Sequence, residues 1–309
     1  MGLRTSRRVK ALLGLMAAAL SAGCPPVNPP PGGNPNEAGD RAAIASLLDA
    51  QEAAPFFQSR LINDGVGIFS MESEVLPSGM PRRWGRSYAF AVQNEAPTVS
   101  KRSVVEFNKP MEAVVLYKQS VGGKLVLDYT WQRKLLSKPF VETSLRTARF
   151  RKSSDGWRLT DVNVARIHPE ASGFKAGAIT LSLEGEPVQR LRQDDWISLE
   201  DMPRGRAERW GRLEMELSLS GESADPAFYA FLSVPPMRDR VRLRDDGQGA
   251  DRKARDGVYS AEFMLPSEPG IRHLVIDAIA SKTFADPAMT NYEATQWGIP
   301  YRVEGGEAR

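Results

Sequence analysis

The densest chemical signal in the chain is a run of carboxylates, Asp245, Asp246, Asp251 and Asp256, set among Gly247, Gly249 and Gly257. Four hard oxygen donors on one short loop are the material that a divalent cation such as Ca²⁺ uses. Their spacing is not that of an EF-hand. Asp beside Gly serves turns equally well, because its carboxylate accepts backbone N–H groups, and Arg252, Lys253 and Arg255 offset the charge. A self-satisfied loop is therefore the first expectation and a structural Ca²⁺ site the second, with no other cofactor. Just upstream, Arg238, Arg240, Arg242 and Arg244 alternate with Asp239, Val241, Leu243 and Asp245, which predicts an arginine stripe along one strand face. Such a stripe could grip phosphate or carboxylate groups of a polymer. A cross-strand ladder with acids such as Glu214 and Glu216 is the plainer reading, and the preferred one.

Acid–base chemistry has few parts here, since the chain holds only two histidines, His168 and His273. His168 stands beside Pro169 and reads as an exposed linker residue. In the run 124–134, alternation puts Leu125, Leu127, Tyr129 and Trp131 on one face and Val126, Asp128 and Thr130 on the other. Asp128 is a candidate base if burial raises its pKa, and Tyr88, Tyr129 and Trp131 are candidates to line a ligand pocket with it. A single carboxylate without a visible partner is more often a surface residue, so a non-enzymatic protein is expected and an enzyme built on Asp128 is the alternative.

The one cysteine, Cys24, ends an uncharged run, ALLGLMAAALSAG, that follows Arg4, Arg7, Arg8 and Lys10. A basic end followed by a short apolar stretch is an export signal, and the stretch is too short to stay as a membrane span. Leu20-Ser21-Ala22-Gly23-Cys24 resembles the lipobox of bacterial lipoproteins. That resemblance implies a diacylglycerol on the Cys24 thiol and cleavage ahead of it, so that residues 1–23 are a signal peptide and the membrane is a partner through covalent lipid. Two or more acyl chains hold durably, at about 0.8 kcal/mol per buried CH₂. Pro25 in place of Asp after the cysteine implies, by the same resemblance, the outer membrane of the cell envelope. Envelope proteins or polymers are then the expected partners, and a structural spacer in an envelope assembly is a further alternative.

The whole chain carries 41 Lys and Arg against 38 Asp and Glu, and the four basic residues named above fall in the signal, which leaves 37 against 38. The basic excess belongs to the signal and gives no reason to expect nucleic-acid binding.

These residues need elements to position them. Residues 24–39 are rich in proline and form an extended tether. From Asp40, available as an N-cap, Ile44, Leu47 and Leu48 recur at helical spacing for about three turns, ending near Pro55. Residues 111–118, 124–134, 140–152 and 157–167 then read as strands, with a turn at Ser153-Ser154-Asp155-Gly156. A helix leading into a meander with a terminal Asp-Gly-Trp hairpin resembles the NTF2-like (SnoaL-like) α+β cone, over residues 40–170. That family implies a curled sheet around a pocket, open or filled.

Past a join at Ala171–Gly177, alternating runs at 213–220, 227–233, 240–244, 258–265, 271–280 and 297–303 predict an antiparallel β-sandwich over 171–305, with a tail at 306–309. The stretch Asp245-Asp246-Gly247-Gln248-Gly249 through Asp256-Gly257-Val258-Tyr259-Ser260 resembles the DDGxGxDxxxxDGxYS loop of immunoglobulin-like and fibronectin-like domains in secreted bacterial proteins. The expected architecture is therefore an α+β cone followed by an all-β immunoglobulin-like sandwich, mainly antiparallel.

Overall fold

A computed structural model describes residues 36–50, 53–57, 81, 83–88, 99–109, 111–129, 134–221, 226–235, 240–285 and 291–305. The signal, Cys24, most of the tether, Trp131, Arg238 and the tail at 306–309 lie outside the described residues.

The first element is a helix, α1 (Glu37–Leu48), which buries Asp40, Ile44 and Leu48. It starts three residues before the expected cap. Asp40 sits inside it, its Oδ1 accepting from Trp157 Nε1 at 2.9 Å and from Lys152 Nζ at 2.7 Å. A buried tertiary pair thus takes the carboxylate that the cap would have used. After the short α2 (Ala54–Phe57) come β1 (Arg83–Tyr88), β2 (Val99–Lys109), β3 (Glu112–Tyr129), β4 (Lys134–Ser153), β5 (Gly156–Val162) and β6 (Ala165–His168). The β4–β5 turn falls where Asp155-Gly156 predicts it, with Ser153 opposite Gly156 and Gly156 at φ 107°.

The second half holds β7 (Phe174–Leu183), β8 (Gln189–Leu191), β9 (Ile197–Ser198), β10 (Arg204–Arg206), β11 (Trp210–Leu219), β12 (Phe228–Ser233), β13 (Arg240–Leu243), β14 (Val258–Met264), β15 (Gly270–Ala280), the short α3 (Ser281–Ala285) and β16 (Ala294–Glu304). One sheet runs in the order β1-β3-β4-β6-β16-β15-β12-β13, and a second in the order β14-β11-β7-β8. Except for β10, which lies parallel to β16, the ladders are antiparallel. The chain is mainly antiparallel β with a curled sheet. No helix of the described residues is long and apolar enough to cross a membrane.

The large sheet carries strands from both sides of residue 170. Ile167, Arg166 and Ala165 of β6 face Gln296, Trp297 and Gly298 of β16. Residues 39–309 accordingly gather into one compact unit, and the stretch expected as a join already enters β7 at Phe174. Apolar alternation explains how the two sheets meet. Leu181, Leu213, Met215 and Phe263 of the smaller sheet share one buried cluster with Leu274, Ile276, Ile299 and Tyr301 of the larger.

Along the rest of the large sheet the curl brings its two ends together. Arg240 of β13 lies over the Trp84 ring of β1 at 3.8 Å and donates to the Trp84 carbonyl at 3.2 Å. Inside the curl, Trp84 packs on Phe231 and Phe284 at ring separations of 5.1 and 5.6 Å, with Leu125, Leu127, Phe140 and Ile279 around them.

Candidate functional site

The second half of the chain encloses a groove of about 730 Å³ beside β13, with Tyr229, Arg242, Arg244, Arg255 and Tyr259 among its lining residues. Strand β12 supplies Tyr229 and β13 supplies Arg242, whose guanidinium lies 5.2 Å from the centre of the Tyr229 ring. Burial raises the Tyr229 pKa above its ordinary value, an effect opposed by the charge of Arg242 and a hydrogen bond with Ser281. Among the described residues no carboxylate pairs with Arg242. Arg244 is held by Asp246 at 3.2 Å. Arg255 occupies a left-handed backbone conformation, φ 60°, at the tip of the loop.

The expected arginine stripe is therefore split. Arg240 points into the curl and stacks on Trp84, while Arg242 and Arg244 line the groove. The expected ladder with Glu214 and Glu216 does not form, because β13 pairs with β12 and places Arg242 opposite Phe231 and Arg240 opposite Ser233. Those two acids belong to β11 in the other sheet. Glu214 pairs with Arg212 at 2.6 Å, and Glu216 accepts from the Ala178 amide at 3.0 Å.

The aspartate loop closes on its own amides. Asp245 accepts from the amides of Asp256 and Gly257, each at 3.0 Å, and Asp251 accepts from Gly247 at 2.5 Å and Lys253 at 3.2 Å. Asp256 accepts from Val258 at 3.0 Å. Gly247, Gly249 and Gly257 take positive φ, as the Asp-Gly turns require. Asp245, Asp251 and Asp256 each bring an oxygen within 4.8 Å of the others, whereas Asp246 stands outside that group with Arg244 and the Gln248 amide. The three could ligate a hard cation such as Ca²⁺, and their oxygens already serve loop donors.

Asp128 has the partner that its sequence neighbourhood hides. Arg83, opposite it in the β1–β3 ladder, donates to Asp128 Oδ2 from Nε at 3.0 Å and from Nη2 at 2.7 Å. Asp128 and Tyr129 are consecutive strand residues and project to opposite faces, so they do not line one pocket. Tyr129 donates to the Phe284 carbonyl inside the curl. Tyr88 is the last residue of β1, opposite Gly123.

Sequence reasoning missed the polar interior of the curl. Arg86 pairs with both oxygens of Asp277, lies 3.4 Å from Glu142 and donates to the Tyr292 hydroxyl at 2.7 Å; Tyr292 in turn donates to Glu142. Lys138 donates to the Thr283 carbonyl at 2.5 Å and to that of Asn291 at 3.2 Å. Further along β4, Arg146 donates to the Phe56 carbonyl. Burial lowers the Arg146 pKa to about 9. Burial, and then the charge of Arg146, push His273 down to about 3. The signal for this interior was present in β4, where Lys138, Glu142 and Arg146 occupy the same alternate positions as Phe140, Ala148 and Phe150.

No family model, curated protein or solved structure matches this chain. The groove offers the Arg242 guanidinium on an aromatic ring, with Arg244 and Arg255 set against Asp245 and Asp246 on the same lining, and among the described residues no carboxylate pairs with Arg242, which suits the binding of an anion.

Proposed function

We propose that this chain is a lipid-anchored, non-enzymatic protein of the bacterial cell envelope, held at the outer membrane, whose folded body binds an anionic partner. The anchor rests on Cys24, which ends the export signal and precedes a proline-rich tether. The binding role rests on one observation, the guanidinium of Arg242 beside the Tyr229 ring in an open groove, where among the described residues no carboxylate pairs with it, although Asp245 and Asp246 also line the groove. A guanidinium in that setting is ready for a phosphate or carboxylate, with cation–π support worth about 0.5–2 kcal/mol. An acidic envelope polymer is the partner class that fits both the address and the charge. The finer fold reading is an NTF2-like cone for residues 40–170 and an immunoglobulin-like sandwich for 171–305. It is supported by α1 ahead of the long β3–β4–β5 meander, and by the packing of the smaller sheet on strands β15 and β16 of the larger.

The test has two parts. Labelled palmitate should enter the wild-type protein and not Cys24→Ser, which should leave the membrane fraction. Retention on an immobilised acidic polysaccharide, measured against a neutral one, should fall with Arg242→Gln. Equal retention of wild type and Arg242→Gln sinks the binding role, and an unlabelled wild-type protein sinks the anchor.

A further inference from the structure

We propose that the curled sheet holds a small oxyanion, a carboxylate or phosphate group, between Arg146, His273, Gln119 and Ser144. The site is separate from the surface groove and does not depend on the reading of that groove.

Strand register puts Gln119, Ser144 and Arg146 on one face of β3 and β4. Gln119 of β3 faces Ser144 of β4, and Tyr117 faces Arg146 one step further along the same ladder. Ser144 and Arg146 are two residues apart, so they share a face at about 6.6 Å along the strand. His273 reaches the same place from β15. It feels the charge of Arg146, and its ring meets the edge of Phe56 at 6.1 Å, the residue whose carbonyl accepts from Arg146.

All four are buried, with Gln119 at 1% exposure and Ser144, Arg146 and His273 each at 5%. Each nonetheless has a polar atom without a hydrogen-bond partner among the described residues: Gln119 Nε2, Ser144 Oγ, Arg146 Nε and His273 Nδ1. One such atom costs about 1–3 kcal/mol, and four on one patch are more than a fold of ordinary quality leaves unanswered.

Their chemistry selects the occupant. A guanidinium N–H, an amide N–H and a hydroxyl are donors, and a neutral imidazole donates from one of its nitrogens. A bound cation would face the charge of Arg146. A water could answer one or two of the donors and would leave that charge uncompensated. The interior carboxylates that could compensate it, Glu142 and Asp277, are engaged by Arg86. An oxyanion accepts from all four groups and neutralises the guanidinium. Phe56 and Tyr117 beside the cluster are themselves buried, which shields it from bulk solvent.

The test is thermal unfolding of the full-length protein in detergent, in chloride, acetate and phosphate at equal ionic strength. Wild type should show a saturable rise in midpoint with acetate, phosphate or both, and the anion with the larger rise identifies the headgroup class. Arg146→Met removes an unpaired buried charge, so its midpoint in chloride should match or exceed that of wild type and should no longer respond to the oxyanion. Ser144→Ala keeps the charge and should shift the half-saturating concentration upward several-fold. Arg242→Gln removes the contribution of the surface groove, and the rise that remains in that variant is the one assigned to this site. A wild-type midpoint equal in all three salts overturns the proposal. So does a rise of the same size in Arg146→Met, which would mark a general salt effect. Should Arg146→Met fail to fold, Ser144→Ala decides: an unshifted half-saturation overturns the site.

Discussion

Acidification should destabilise this protein through His273 well before its carboxylates protonate. The ring is buried and its pKa is lowered to about 3 by burial and by Arg146, whereas in the unfolded chain it returns to about 6.5. Between those two values the unfolded state binds a proton that the native state refuses. Unfolding free energy therefore rises with pH across this window, and is lost as pH falls from 6.5 toward 3. From pH 7.5 to pH 5 the loss spans about 1.5 units at 1.36 kcal/mol each, or about 2 kcal/mol. Urea unfolding followed by tryptophan fluorescence, in chloride buffers at intervals over that range, measures it directly. His273→Gln carries the same volume of polar side chain without the titration, so its stability should change less over the same range by about 2 kcal/mol. His168, the other histidine, is present in both proteins and cancels. If the wild-type and His273→Gln stabilities run parallel from pH 7.5 to pH 5, the ring is not buried in its neutral form and the reasoning fails.

Asp277→Ala removes the bidentate partner of the buried Arg86 guanidinium, which keeps Glu142 at 3.4 Å, and should cost about 1.5–3 kcal/mol in the same urea assay. Gly211→Ala should cost about 1–3 kcal/mol, since a Cβ there would come within 2.5 Å of Phe263 Cζ in the core between the sheets. Asp245→Ala removes the acceptor for two loop amides and should lower stability by about 1–3 kcal/mol, with hydrogen exchange at Asp256 and Gly257 as the local readout. Repeating that measurement with Ca²⁺ and with a chelator separates the loop's own bonding from a contribution by metal.

Much of the second half was legible from apolar patterning: β11 alternates with a period of two, whereas β12, β15 and β16 are buried on successive residues and read as near-continuous apolar runs. The run expected at 213–220 is β11 at Trp210–Leu219, and that expected at 271–280 is β15 at Gly270–Ala280. Strand β7 escaped notice because its first half, Lys175 to Ala178, is small or polar and half-buried or exposed. Gly177 is placed where Glu216 crosses it, and a side chain there would collide. The site was less legible for a different reason. Arg86 and Asp277 are 191 positions apart, and Arg83 meets Asp128 across 45. Periodicity tells which face a residue occupies and says nothing of which distant strand will lie across from it. Arg240 shows the limit clearly, since its alternation with Arg242 was correct and its destination, the Trp84 ring, was set by the curl.

Where the curled sheet meets itself, β1 and β13 face each other through a guanidinium on an indole, and among the described residues no backbone ladder joins them. Every other line of contact along that path is stitched by amides and carbonyls. Among the described residues, the seam is held by side-chain contacts and not by a backbone ladder. Arg240 thus ties two edge strands through its side chain, and Arg240→Ala would remove both the ring contact and the hydrogen bond to the Trp84 carbonyl.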